Sequence, residues 1–151
     1  MHSKLIRPSL LHRLVTIFIV AAVLNYVWEI GQGFLYSGMD YKKAVWWHCF
    51  VASLGDGILI LLIYFTGLIV LRRTDWFAVQ IRGRYPVMLV AGLAFGLGTE
   101  WIGIKLLHRW TYTEQMPLLP GLRIGLVPVL QMLLLPPAIF AIVAKWDARS
   151  N

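Results

Sequence analysis

Polar positions along this chain are few and regularly placed. Four long apolar runs, about 14–36, 47–71, 87–108 and 122–145, are separated by short polar links. Each run supplies the roughly 20 helical residues that a hydrocarbon core about 30 Å thick demands. The links are S-G-M-D-Y-K-K near 37–43, the arginine-rich stretch 72–86 and R-W-T-Y-T-E-Q-M-P-L-L-P-G at 109–121. Links this short make successive helices antiparallel. The pattern predicts an all-α, integral membrane four-helix bundle in which residues 1–151 form a single transmembrane domain. Neither an internal repeat nor a low-complexity segment interrupts it.

Composition strengthens this reading. Of 151 residues, 59% are hydrophobic and 14% charged, and the mean hydropathy is +0.71; a soluble domain carries about 25% charged residues. The net charge of +7 in such a chain reports topology and contact with anionic head groups. No basic–aromatic patch points to nucleic acid. Counting Lys and Arg, the N-terminus (Lys4, Arg7, Arg13), the middle link (Arg72, Arg73, Arg82, Arg84) and the C-terminus (Lys145, Arg149) hold nine, against five on the other side (Lys42, Lys43, Lys105, Arg109, Arg123). Positive-inside bias therefore places both termini in the cytoplasm. The middle link, with Trp76 and Phe77 among its arginines, reads as a positive-inside anchor or an interfacial segment on lipid. Trp46, Trp47, Trp110, Tyr112 and Trp146 read as an interface belt. The first run, about 23 residues long, exceeds a signal-peptide core and is expected to be a retained helix. The single cysteine, Cys49, excludes an internal disulfide.

The chemistry lies inside the runs. In N25-Y-V-W-E-I-G-Q-G-F-L-Y36 the residues Asn25, Glu29, Gln32 and Tyr36 recur at helical spacing and form one polar stripe. With 1.5 Å rise per residue, Glu29, Asp56, Glu100 and Gln131 all fall roughly 10–13 Å below the same membrane boundary. An acid near the bilayer centre costs at least about 2.5–3.5 kcal/mol, so three in one layer are expected to face one another. Ser53 and Asp56 share a helix face with His48 and Ala52. Glu100 shares one with Gly92, Gly96 and Gly103, where backbones can approach closely. Pro128, Pro136 and Pro137 are expected to bend the fourth helix and free carbonyls near Gln131.

Desolvation and like charge disfavour ionising all three acids together, so one can stay protonated while a neighbour acts as base. That suits protonation of an alkene or epoxide, with a cation stabilised by aromatic faces; Trp28, Trp101, Trp110, Tyr36 and Tyr112 are the candidates. No transition-metal site is expected, since His48 and Cys49 have no second His or Cys at ligand spacing; the oxygen ligands of the acids suit Mg, Ca, Mn or Na instead. No motif specifies a cofactor, no G-x-S-x-G supports a hydrolase, and G31-Q-G33 and G96-L-G98 are packing glycines.

Two stretches carry a resemblance. N25-Y-V-W-E29 resembles the Asn-x-x-Trp-Glu segment of membrane-embedded terpene cyclases, in which the Glu is a proposed proton donor. The hairpin W110-T-Y-T-E-Q-M-P-L-L-P-G-L-R-I-G-L-V-P-V-L-Q131 is similar in layout to the lycopene cyclase domain, although Val129, Leu130 and Gln131 stand where that domain has paired acids after its proline. The whole pattern also resembles small uncharacterised bacterial four-span membrane proteins. The resemblance implies an isomerase or cyclase acting on an isoprenoid-like lipid, and it carries only Glu29 to a catalytic position. The expected site is thus Glu29, Asp56 and Glu100 as acids and bases. Asn25, Trp28, Gln32, Tyr36, Trp101, Trp110, Tyr112 and Gln131 line it. A binder or transporter of a cation or small molecule is the alternative, as is an accessory subunit docking a partner helix on the Gly92–Gly96 face. The expected partners are membrane lipids, an apolar small molecule and a helix–helix oligomer or larger membrane complex, and the expected location is a bacterial inner membrane.

Overall fold

The computed structural model describes residues 9–39, 41 and 45–149. The basic residues Lys4, Arg7, Lys42 and Lys43, which entered the orientation count, lie outside them. The described residues are all-helical, with two isolated β-bridges. Helix α1 spans Leu10–Gln32 and ends in a 3₁₀ turn, Gly33–Leu35. Helix α2 spans Val45–Leu71 and α3 spans Arg84–Trp101, continued by a π turn over Ile102–Leu106. Helix α4 spans Leu126–Arg149. Among the described residues these four helices are long and apolar enough to cross a membrane. The fourth begins and ends about four residues later than its hydropathy suggests, because Leu122–Gly125 belong to the preceding hairpin, where Leu118 and Gly125 form a bridge.

Local chemistry sets the helix ends. Ser9 accepts the His12 N–H at 3.2 Å and caps α1. Gly83, at φ 97°, supplies the left-handed residue that turns the chain into α3. The helices form a ring in which α1 packs on α2 and α4, and α3 packs on the same two.

The end of the bundle that holds both termini is closed by the middle link. Trp76 and Phe77 do not lie on a surface; they are buried in the core beside Tyr64 and Phe140. The Trp76 ring occupies the space left by Gly67, where an added Cβ would sit 2.1 Å from it, and its Nε1 donates to the Tyr64 carbonyl at 3.1 Å. Arg13, counted above only as a topology signal, is buried, pairs with Asp147 at 3.1 Å and donates to the Thr74 carbonyl at 2.9 Å. One guanidinium thereby ties α1, α4 and the link together. Hydropathy cannot show this pair, but opposite charges at the same end of antiparallel neighbours are a visible clue.

The glycine face of α3 is also taken. Pro136 has no N–H, so the Met132 carbonyl one turn earlier lacks its helical donor. That carbonyl points at α3, where a Cβ on Gly92 would lie 2.1 Å away; Gly96 packs on Met132 and Val129. The proline-freed carbonyl thus serves helix packing, not the polar site. The face expected to receive a partner helix is covered by α4.

This contact predicts an asymmetric response to alanine. Gly92→Ala should destabilise the protein by at least the upper part of the roughly 1–3 kcal/mol typical of overpacking, since backbone must move. Gly98→Ala, where nothing lies within 4 Å, should be neutral or stabilising by up to about 1 kcal/mol. Thermal unfolding of both variants in a mild detergent reads the difference.

Candidate functional site

At the other end, three helices place polar side chains into one network. The α1 stripe turns Asn25, Glu29 and Gln32 inward at 3.6-residue spacing. Asp56 enters from α2 and Gln131 from the second turn of α4. Gln131 is the hub, 1% exposed. Its Nε2 donates to Asn25 Oδ1 at 2.7 Å and to Asp56 Oδ2 at 2.9 Å, and its Oε1 accepts from Gln32 Nε2 at 3.0 Å. Gln32 Nε2 also donates to Glu29 Oε1 at 2.6 Å, and its Oε1 accepts from Trp28 Nε1 at 3.1 Å. Asn25 Nδ2 donates to the Ala21 carbonyl at 2.9 Å. Glu29 and Asp56 lie close enough for each to feel the other's charge, and each is held by an amide, Glu29 by Gln32 and Asp56 by Gln131. Among the described residues, no buried side-chain polar atom lacks a partner.

Glu100 forms a second cluster beside this one. It is 5% exposed and is held by the 107–125 hairpin: Tyr112 donates its hydroxyl to Glu100 Oε2, and Trp110 Nε1 lies 3.4 Å from the same oxygen. Trp110 reaches it by packing flat on Gly103, where a Cβ would meet the ring at 2.1 Å. Tyr112 also accepts the Gly125 N–H at 2.7 Å. The hairpin is stitched to the end of α1 by Ser37 N–H to the Thr111 carbonyl at 2.8 Å and Thr113 N–H to the Leu35 carbonyl at 2.9 Å. These bonds bring Tyr36 against Tyr112, ring centres 5.7 Å apart. Burial, and then the nearby Glu100 and Glu29 carboxyls, push the Tyr36 hydroxyl above its ordinary pKa; burial and the bond to Glu100 do the same for Tyr112.

Glu29, Asp56, Asn25, Gln32, Gln131 and Trp28 are therefore in direct contact, and Tyr36, Tyr112, Trp110 and Glu100 cap them. Trp101 is not brought in: it is 45% exposed on the outer surface of α3. On α2, Ser53 is buried as expected, but His48 and Ala52 face outward. Among the described residues no three His, Cys, Asp or Glu side chains are grouped so as to hold a metal ion. A groove of about 450 Å³ runs between α1 and α4, lined almost wholly by apolar atoms of Leu24, Val27, Trp28, Gly31, Gln32, Val127 and Leu135. The groove was not visible in the sequence, because it depends on how α1 and α4 pack.

Fold and site together define a four-helix bundle in which two half-buried carboxyls are held by a buried amide network. No family model, curated protein or solved structure matches the chain.

Two measurements follow from this geometry. Gln131→Leu strands Asn25, Asp56 and Gln32 at once; at about 1–3 kcal/mol per unsatisfied group it should destabilise far more than the near-isosteric Glu29→Gln. Thermal unfolding in detergent compares them. The tyrosines give a pH dependence. Their raised pKa values favour the neutral phenol in the folded state, so their contribution is fully present below the ordinary value of 10.0 and is lost as pH rises beyond it. Unfolding temperature should fall above that pH, and less steeply in Tyr36→Phe and Tyr112→Phe.

Proposed function

We propose that this is a four-span enzyme of a bacterial inner membrane, both termini cytoplasmic, that performs acid–base isomerisation or cyclisation on an apolar, isoprenoid-like lipid. The observation that carries the reading is the closeness of two carboxyls, Glu29 and Asp56, with Glu29 one hydrogen bond from Gln32, which is among the residues lining the α1–α4 groove. Two carboxyls this close favour holding a single proton between them. Glu29 gives that proton directly to the alkene or epoxide of a substrate that reaches it, and its own negative charge returns as the proton leaves. The Glu29–Asp56 pair then removes a proton from another carbon of the resulting cation. The net change is a shifted or closed carbon skeleton, without oxidant or reductant. Trp28, and Tyr36 from the cap, offer ring faces to the transient cation. Gln32, Gln131 and Asn25 hold the carboxyls in place, and Glu100 adds negative charge from the second cluster.

The Asn-Tyr-Val-Trp-Glu stretch that resembles membrane terpene cyclases supports the choice of Glu29 and of substrate class. A cation carrier is less well supported, because the Glu29 and Asp56 oxygens face amide N–H donors that a cation would have to displace. Docking as an accessory subunit has lost the α3 glycine face to α4.

The test compares apolar compounds co-purifying with the wild type, Glu29→Gln and Asp56→Asn, by mass spectrometry. Substrate should accumulate in the variants and product formation should drop about 10²–10⁴-fold, the range of general acid–base contributions. Undiminished product formation in folded Glu29→Gln would sink the reading.

A further inference from the structure

The end of the bundle that holds both termini carries more positive charge than its own acids can balance. Its described Lys and Arg residues are Arg13, Arg72, Arg73, Arg82, Arg84, Lys145 and Arg149, against the acids Asp75 and Asp147. Both acids are already taken. Asp147 accepts from Arg13 at 3.1 Å, and Asp75 accepts from Arg73 at 3.0 Å and 3.2 Å. Arg72, Arg82, Arg84, Lys145 and Arg149 are left with no carboxylate among the described residues. All but the half-buried Arg84 are exposed. Arg84 is held in place, donating to the Val79 carbonyl at 3.1 Å and the Tyr85 hydroxyl at 3.0 Å, with its guanidinium 4.6 Å from the Tyr85 ring centre. It still has N–H groups to give. The link that carries these arginines is fixed from beneath by the buried Trp76 and Phe77. Its two ends meet where a Cβ on Gly83 would lie 3.5 Å from Leu71. Like charges gathered on such a platform repel one another until an anion sits among them.

The surface bordering the arginines is apolar. Ile69 is 74% exposed, Val70 59% and Val90 69%. An apolar groove of about 430 Å³ between α2 and α3 reaches Val70 and Pro86, which stand two residues from Arg72 and Arg84. A polyanion dissolved in water would satisfy the charges and leave this border without a partner. A molecule with a negative head and hydrocarbon chains satisfies both. We infer that this end of the bundle is a docking surface for anionic phospholipid. Phosphate groups are held by Arg72, Arg82 and Arg84 on the link and by Lys145 and Arg149 on α4, and the chains lie on the apolar flank beneath. Trp76 and Phe77 are withdrawn into the core, so guanidinium groups make the contact, not aromatic rings dipped into lipid. None of these residues belongs to the carboxyl–amide network, so this surface and the acid–base reading stand or fall separately.

The test titrates the full chain in mild detergent with phosphatidylglycerol or phosphatidylcholine and counts bound lipid by native mass spectrometry. Phosphatidylglycerol should bind at least about fivefold tighter, the value of one basic residue at an anionic surface. Arg72→Asn combined with Arg82→Gln should weaken phosphatidylglycerol binding roughly tenfold to thirtyfold on the same scale. Position 72 has φ 54°, a conformation that Asn adopts more readily than most residues. Lys145→Gln combined with Arg149→Gln should also weaken binding and leaves the link untouched, so the outcome does not hang on the folding of one variant. Lys105→Gln combined with Arg123→Gln, at the opposite end, should leave it unchanged. Raising the salt from about 0.1 M to about 0.5 M should weaken phosphatidylglycerol binding and spare phosphatidylcholine. Glu29→Gln should bind phosphatidylglycerol as the wild type does, whether or not it turns over substrate. Equal binding of the two lipids overturns the proposal. So does wild-type binding by both the link and the α4 variants, or displacement of the lipid by equimolar inorganic phosphate.

Discussion

The Gln131 amide is the interaction on which the rest of the site depends. Inside an apolar bundle a carboxyl or carboxamide has no water to turn to, and each polar atom left without a partner costs on the order of 1–3 kcal/mol. Gln131 uses both hydrogens and its oxygen on three residues from two other helices, Asn25, Asp56 and Gln32. A glutamate at this position would accept but not donate, and would add a third acid to the Glu29–Asp56 pair. An amide supplies donors to acids already present and adds no charge. This explains why a layer containing two neighbouring carboxyls is tolerated here: the amides from α1 and α4 arrive as donors.

The two ends of the bundle are built on opposite principles. The end near the termini is filled with aromatic volume, Trp76 over Gly67 with Tyr64, Phe77 and Phe140 around it, and locked by Arg13 against Asp147 and Thr74. The opposite end carries the polar network beneath a hairpin whose Trp110 and Tyr112 clasp Glu100. Between plug and cap, Gln32 of that network is among the residues lining the groove between α1 and α4.

The architecture was legible in the sequence because long apolar runs joined by short links leave few alternatives. Runs of apolar residues of the right length must be helices, and short links make them antiparallel. The polar residues were legible for the same reason, since each is expensive enough to need a purpose: Asn25, Glu29, Gln32, Asp56 and Gln131 do converge. What failed were judgements that depend on rotation and on backbone detail. Trp101 follows Glu100 by one residue, about 100° around the helix, and so faces out while Glu100 faces in. Trp76 and Phe77 sit among arginines and resemble a surface segment, yet the empty flank of Gly67 draws them into the core. The freed carbonyl was foreseen from the prolines, but its use, seating α3 at Gly92, depends on helix separation that composition does not encode.

Glu100 shows why depth alone was too coarse a guide to partnership. Placed by residue count it belongs to the same layer as Glu29 and Asp56, and it does lie within electrostatic reach of both. Its hydrogen bonds nevertheless run to Trp110 and Tyr112, and those depend on the π turn at Ile102–Leu106 and on Gly103, which let the hairpin fold back over the helix end. A wide turn of this kind shifts every later side chain relative to an ideal helix. The acid that looked like a third member of the pair is thus the anchor of the cap, and its carboxyl meets tyrosine and tryptophan donors where Glu29 and Asp56 meet amides. Two acids held by amides and a third held apart by its own donors make two environments, which counting residues along each helix does not distinguish.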